Sequence, residues 1–229
     1  QIKSVAYSLV FSLLFIALPS LFIGPGFNAE LLSSWWEVID PSNVKNLIED
    51  EFGAHSITAL VTTLFMETES TIELKRNMAN LSRESVSLIS NLLRISLILS
   101  SLLILRIKTI FKVYEGRLQL IEVSYLLLLI PILFPRQQKY AFLMALPAQY
   151  YLISVLVLQY NKVKNTFNWK VLLSLVSLSF ILMTLSSDLF LGRELNKITQ
   201  HYKLITYGNL FLVFSYFFVN PSWTNQMEH

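Results

Sequence analysis

The sequence predicts an all-α fold, a polytopic transmembrane helix bundle of about six spans, each near the ~20 apolar residues that cross a bilayer core. Three observations predict it. The 229-residue chain is 54% hydrophobic and 14% charged, with a mean hydropathy of +0.54, whereas soluble domains carry about 25% charged residues. Its apolar residues fall in long continuous runs that do not alternate with the period of a membrane barrel strand. Its Lys and Arg residues gather in short connections between those runs. A soluble chain of this size has no single core able to hide so much apolar surface. The same arithmetic excludes disorder, a nucleic-acid-binding module and a disulfide scaffold. There are 0 Cys, which excludes thiol chemistry and a Cys-based zinc site.

Helices are the reading for every run, because lipid offers no hydrogen-bond partner to an unpaired backbone. The first extends from Ser4 to Ile23 without a charge. It is too long for a signal peptide and no small-residue cleavage site follows. The second covers Val86 to Leu105 and contains Arg94, and the third covers Leu118 to Phe134 and contains Glu122. The fourth is Tyr140 to Tyr160, the fifth Val171 to Ser187, and the sixth Leu204 to Val219. Pro19, Pro131 and Pro147 fall inside spans and predict kinks. Tyr140, Tyr160, Trp169, Tyr202 and Trp223 stand near span ends as interfacial anchors.

A cytoplasmic start of the first span places eight basic and three acidic residues inside, and ten basic and twelve acidic residues outside. The connections Arg106–Arg117 and Asn161–Lys170 are then both inside, as the positive-inside rule requires. The chain reads as one membrane domain over 1–229: a span at 1–23, an outer loop at 24–83, five spans over 84–219 and a tail at 220–229. It begins with Gln1 rather than Met and is read as part of a longer protein.

The outer loop is long, which favours a functional role, and it is predicted to be helical in part. Gly24-Pro25-Gly26 breaks the first span, and Asn28 is expected to cap a helix with Leu31, Leu32, Trp35, Trp36 and Ile39 on one face. That stripe reads as an interfacial helix. A turn at Asp40-Pro41-Ser42-Asn43 leads to a second short helix, Val44 to Phe52, closed by Gly53. Its Glu49, Asp50 and Glu51 read as a solvated face, and no metal is expected. His55 to Phe65 is apolar, lacks acid, Lys and Arg, and is too short to span, so it reads as a re-entrant or cavity-lining helix. Met66 to Asn80 is polar.

No nucleotide-binding, zinc-protease or Gly-x-Ser-x-Gly motif occurs, and no cofactor is expected. Arg94 lies roughly 15 Å along its helix from Glu84, a depth that strains simple snorkelling, and reads either as facing a polar cavity or an anionic lipid phosphate or as snorkelling to the outer end. Glu122 reads as a membrane-edge residue paired with Arg117 or Lys112. His55 and Ser56 open the short apolar helix, either as a capping pair or as an anion and proton-transfer site. Arg136-Gln137-Gln138-Lys139, held between Pro135 and Tyr140, offers two cations and two amides suited to phosphate and sugar hydroxyls, or is a plain polar loop. Lys75-Arg76-Asn77 is a second outer basic cluster, and Asp188, Arg193, Glu194 and His201 read as solvated surface.

Several of these segments together resemble the C-terminal half of GT-C-class membrane glycosyltransferases of glycosyltransferase family 87. They are Leu18-Pro19 with Gly24, the Trp-bearing helix Leu31 to Asp40, Gly53-Ala54-His55-Ser56-Ile57, Glu73-Leu74-Lys75-Arg76-Asn77, and Leu133-Phe134-Pro135-Arg136-Gln137-Gln138-Lys139-Tyr140-Ala141-Phe142. The last is the most distinctive. At 54–56 the chain reads Ala-His-Ser where the family pattern is Asn-Gln-Ser, so Ser56 alone matches.

The resemblance implies a bacterial inner-membrane enzyme with its long loop outside. Such an enzyme takes a sugar, mannose in the best-known relatives, from a polyprenyl-monophosphate donor and passes it to a glycolipid or glycan acceptor. It implies that the general base lies upstream of Gln1. Membrane lipids and these two substrates are the expected partners, with no nucleic acid. Under it, Arg76, Arg94, Arg136 and Lys139 supply cations for the leaving phosphate, and His55, Ser56, Gln137 and Gln138 orient sugar or acceptor. A secondary transporter or lipid flippase is the alternative, since buried charge and broken helices also suit one.

Overall fold

In the computed structural model of the protein, residues 2–40, 43, 47, 54–68, 70, 72–105 and 116–219 are described. The described residues form helices and connections, with no strand among them. The proposed helix at 44–52, residue 47 excepted, with its acids Glu49, Asp50 and Glu51, Pro41, Ser42, Gly53, Glu69, Thr71, the connection 106–115 and the tail from 220 lie outside them. So do the Lys112 partner proposed for Glu122 and the side chain of Arg117.

Helix α1 runs Ile2–Ala17 and α2 runs Ser20–Ile23. The break falls at Leu18-Pro19, as the proline predicts, because Pro19 has no N–H for the helical ladder. Gly24, at φ +83, turns the chain into α3, Pro25–Ile39. Asn28 does not cap this helix: Gly24 is the N-cap and Pro25 takes the first turn. The Asn28 amide instead donates to the Ile16 carbonyl at 3.0 Å and to Ser20 Oγ at 2.8 Å, at the broken helix end. Trp35 and Trp36 are exposed.

Helix α4 is Ile57–Phe65 and α5 is Arg83–Leu105. Between them, the described residues of 66–82 are irregular. Helix α6, Gly116–Leu133, carries Pro131 and stops two residues before Pro135. A 3₁₀ segment, Lys139–Ala145, precedes α7, Leu146–Leu158. Pro147 therefore sits in the first turn of α7 and does not kink a continuous span: its missing N–H is one that a helix start leaves unpaired. Helix α8 is Tyr160–Val163, α9 is Phe167–Leu185, α10 is Asp188–His201 with a break at Gly192, and α11 is Leu204–Ser215.

Four helical segments are long and apolar enough to cross a membrane: Val5–Ile23, Arg83–Ile104, Lys139–Leu158 and Phe167–Leu185. The third predicted span corresponds to α6, whose apolar stretch among the described residues is Leu120–Leu133, and the sixth to the shorter apolar stretch Leu204–Phe218, which ends in a 3₁₀ turn at Tyr216–Phe218. Most large apolar side chains of α1, α5 and α7 that face outward are exposed, which suits contact with lipid.

The core lies where α4, α6, α7, α9 and α11 meet. Seven residues of α4, Ile57 to Thr63, are buried, so this short helix is enclosed by protein rather than lying on its surface. Helices α9 and α11 pack most extensively, because Gly208 has no side chain to hold them apart. Tyr216 stacks on Tyr151 with centroids 5.7 Å apart, and its hydroxyl lies 2.8 Å from Ser124 Oγ. Trp169, expected as an anchor, is buried beside Tyr160 and donates from Nε1 to the Leu156 carbonyl at 3.4 Å.

Candidate functional site at the start of the enclosed helix

The segment 54–58 is bonded to three other parts of the chain. Ser56 takes an extended backbone and accepts from the Ala59 N–H at 3.3 Å, which caps α4. Its hydroxyl then donates to the Pro135 carbonyl at 2.6 Å. The His55 N–H donates to the Gln137 carbonyl at 2.8 Å, and its own carbonyl accepts from Thr206 Oγ1 at 2.5 Å. The Lys203 ammonium donates to the Ala54 carbonyl at 2.7 Å. One turn further, Arg94 reaches out of α5 to Thr58 Oγ1, with its other terminal nitrogen 2.9 Å from Asn91 Oδ1.

This arrangement joins two sequence-predicted groups. His55-Ser56 and the 136–139 connection lie together, pinned through the Pro135 and Gln137 carbonyls. Arg136, Gln138 and Lys139 are exposed and Gln137 is half-buried, so the connection presents its cations and amides outward. Lys139 pairs with Asp188 at 3.3 Å. Asp188 also accepts from the Asn196 amide. Arg94 joins the cluster through Thr58. Arg76 does not: it donates to Thr68 Oγ1 at 2.5 Å in the segment bonded to the far end of α4.

His55 is 1% exposed, edge-on to Phe142 with centroids 6.4 Å apart, and neither ring nitrogen has a hydrogen-bond partner among the described residues. Burial, reinforced by the Lys203 and Lys139 charges, lowers its pKa to about 3. The imidazole is therefore neutral at ordinary pH, with one nitrogen able to donate and the other to accept. As a neutral group it suits a hydroxyl or a proton in transit, while the attraction for an anion comes from the lysines and Arg136.

Sequence reasoning missed Lys203, Thr206 and Asn209. Lys203 is 1% exposed and holds a left-handed backbone at φ 55, between α10 and α11. Asn209 donates to the Leu128 carbonyl at 3.0 Å, in the turn before Pro131. A polar amide inside an apolar run was the available signal for Asn209. His201, read as solvated surface, is wholly buried: Nε2 donates to the Leu74 carbonyl at 2.9 Å and Nδ1 lies 3.2 Å from Ser70 Oγ. The reason is that the irregular 66–82 segment folds over the end of α10 and needs partners for its backbone. Asp188, also read as surface, is exposed at the start of α10, where it pairs with Lys139 and accepts from Asn196.

No protein-family model, curated protein or solved structure matches this chain.

Proposed function

We propose that the chain is the membrane domain of a GT-C-class glycosyltransferase resembling family 87. In this reading it transfers a sugar, mannose by the resemblance, from a polyprenyl-monophosphate donor to a glycolipid or glycan acceptor on the outer face of a bacterial inner membrane. The observation that carries the reading is the bonding of Ser56 and His55 to Pro135 and Gln137, which fixes an exposed Arg136-to-Lys139 run against an enclosed helix start. A rigid cationic edge beside helices with exposed apolar faces suits a lipid-linked phosphate: the cations hold the leaving group and the tail lies along the helices. Gln137, Gln138 and the neutral His55 suit sugar hydroxyls. These residues bind and orient the donor; the reading assigns proton transfer to none of them.

A transporter or flippase is the second reading, favoured by one observation. Arg94 is buried in a membrane-length helix and bonded to a short enclosed helix, a combination that also lines substrate paths. The discriminating experiment uses membrane vesicles holding the full parent protein and radiolabelled polyprenyl-phosphate mannose. Label appearing on a new lipid or glycan supports transfer. Label that crosses the bilayer on an unchanged donor supports transport and overturns the proposal.

A further inference from the structure

Residues 66–68, 70 and 72–80 line an open surface pocket of about 670 Å³. That volume falls in the range of about 300–1,000 Å³ usual for small-ligand sites. The pocket lies away from the cationic edge, on the segment bonded to the C-terminal end of α4. Met78 and Leu81 donate backbone N–H groups to the Leu64 and Phe65 carbonyls, each at 2.8 Å. On the other side, His201 Nε2 and the Tyr202 hydroxyl donate to the Leu74 and Lys75 carbonyls, at 2.9 and 3.3 Å. Arg76 reaches Thr68 across the segment. The described residues of this segment lie in neither helix nor strand and are tied down from both sides, which is unusual for a loop that only connects.

The lining selects a class of ligand. Glu67 and Glu73 are balanced by Lys75 and Arg76, so the pocket has no net charge to attract a phosphate. Among the described residues, the side chains of Glu73, Lys75 and Asn77 make no hydrogen bond or ion pair, and all three line the pocket. A carboxylate, an amide and an ammonium can together accept from and donate to adjacent hydroxyls. We infer that this pocket binds a neutral, hydroxyl-rich ligand, namely the glycan of the acceptor. The inference rests on the glycosyl-transfer reading and deepens it. The donor's phosphate goes to the Arg136–Lys139 edge and the acceptor's sugar to the pocket. The corner His201-Tyr202-Lys203 ties both together, holding Leu74 and Lys75 on one side and Ala54 on the other.

The test is saturation-transfer difference NMR on the full chain in lipid nanodiscs. The probes are methyl α-D-mannopyranoside, methyl α-D-glucopyranoside and N-acetylglucosamine, each with and without inorganic phosphate. At least one sugar is expected to bind saturably and to stay bound with phosphate present. The double variant Glu73→Gln, Asn77→Ala is expected to bind about tenfold more weakly. Neither side chain has an internal partner, so the variant keeps its melting temperature. Absence of binding by all three sugars, displacement by phosphate, or unchanged binding in the double variant would each overturn the inference. The assay contains no donor, so it is independent of transfer. Sugar binding without transfer upholds the pocket and removes the transferase. Transfer with an unchanged acceptor KM in the double variant does the reverse.

Discussion

The ammonium of Lys203 donates to the carbonyl of Ala54 at 2.7 Å, joining two residues 149 positions apart in the chain. The bond closes the start of α4 against the corner between α10 and α11, and Lys203 is 1% exposed where it does so. Replacing it with Met keeps the side chain's length but leaves the Ala54 carbonyl without this donor. An unsatisfied buried carbonyl costs about 1–3 kcal/mol. Lys203→Met should therefore lower the unfolding midpoint in detergent micelles, followed by near-ultraviolet circular dichroism. An unchanged midpoint would show that the tie is not supporting the fold.

His55 makes stability depend on pH. Its folded pKa, about 3, lies below the ordinary 6.5. Between those values the unfolded chain binds a proton that the folded chain excludes, so stability falls as pH drops through that window. The slope approaches about 1.4 kcal/mol per pH unit well inside it. His55→Gln removes the titrating group and should flatten this contribution. Equal slopes for the two proteins between pH 6 and pH 4 would contradict the buried neutral imidazole.

Helices α9 and α11 meet at Gly208. A Cβ there would lie 2.7 Å from Met183 Cγ and 3.1 Å from the Ser179 carbonyl oxygen. Met183 Cγ is close to its own backbone and Ser179 O is backbone, so neither yields easily. Gly208→Ala should destabilise the protein by about 1–3 kcal/mol despite the better helix propensity of Ala. A stabilised variant would mean that the two helices can separate without loss.

Arg94 and Thr58 link α5 to α4. A double-mutant cycle with Arg94→Met and Thr58→Val should give a coupling of about 0.5–3 kcal/mol in unfolding free energy. Additive effects would show that Arg94 is held by other groups.

The helical class and most span positions were legible because lipid forces continuous apolar runs into helices, and runs such as Val171 to Ser187 need no tertiary information to be recognised. Pro19 was legible as a break for the same local reason. Pro147 was not, because a proline reads alike in a first turn and in a helix interior until the preceding 3₁₀ segment is known. His55, Ser56 and Arg136 to Lys139 were picked out separately by residue type. What brings them together is a set of backbone carbonyls, at Pro135 and Gln137, which carry no side-chain signature. Lys203 was missed and His201 was read as surface for the opposite reason. Their residue types suggest surface, and only the 66–82 segment folding across α10, with the 54–55 backbone beside it, turns them inward.

The most direct measurement is transfer itself, made with the wild-type parent protein and Arg136→Ala in the same vesicles. Radiolabelled polyprenyl-phosphate mannose is supplied without nucleotide sugar. The account predicts label on a lipid or glycan acceptor with the wild type. With Arg136→Ala it predicts a loss of about tenfold or more, the scale of one charge-assisted contact to a leaving phosphate. Wild-type transfer that Arg136→Ala leaves unchanged would contradict the donor site, and no transfer from any lipid-phosphate sugar would contradict the enzyme.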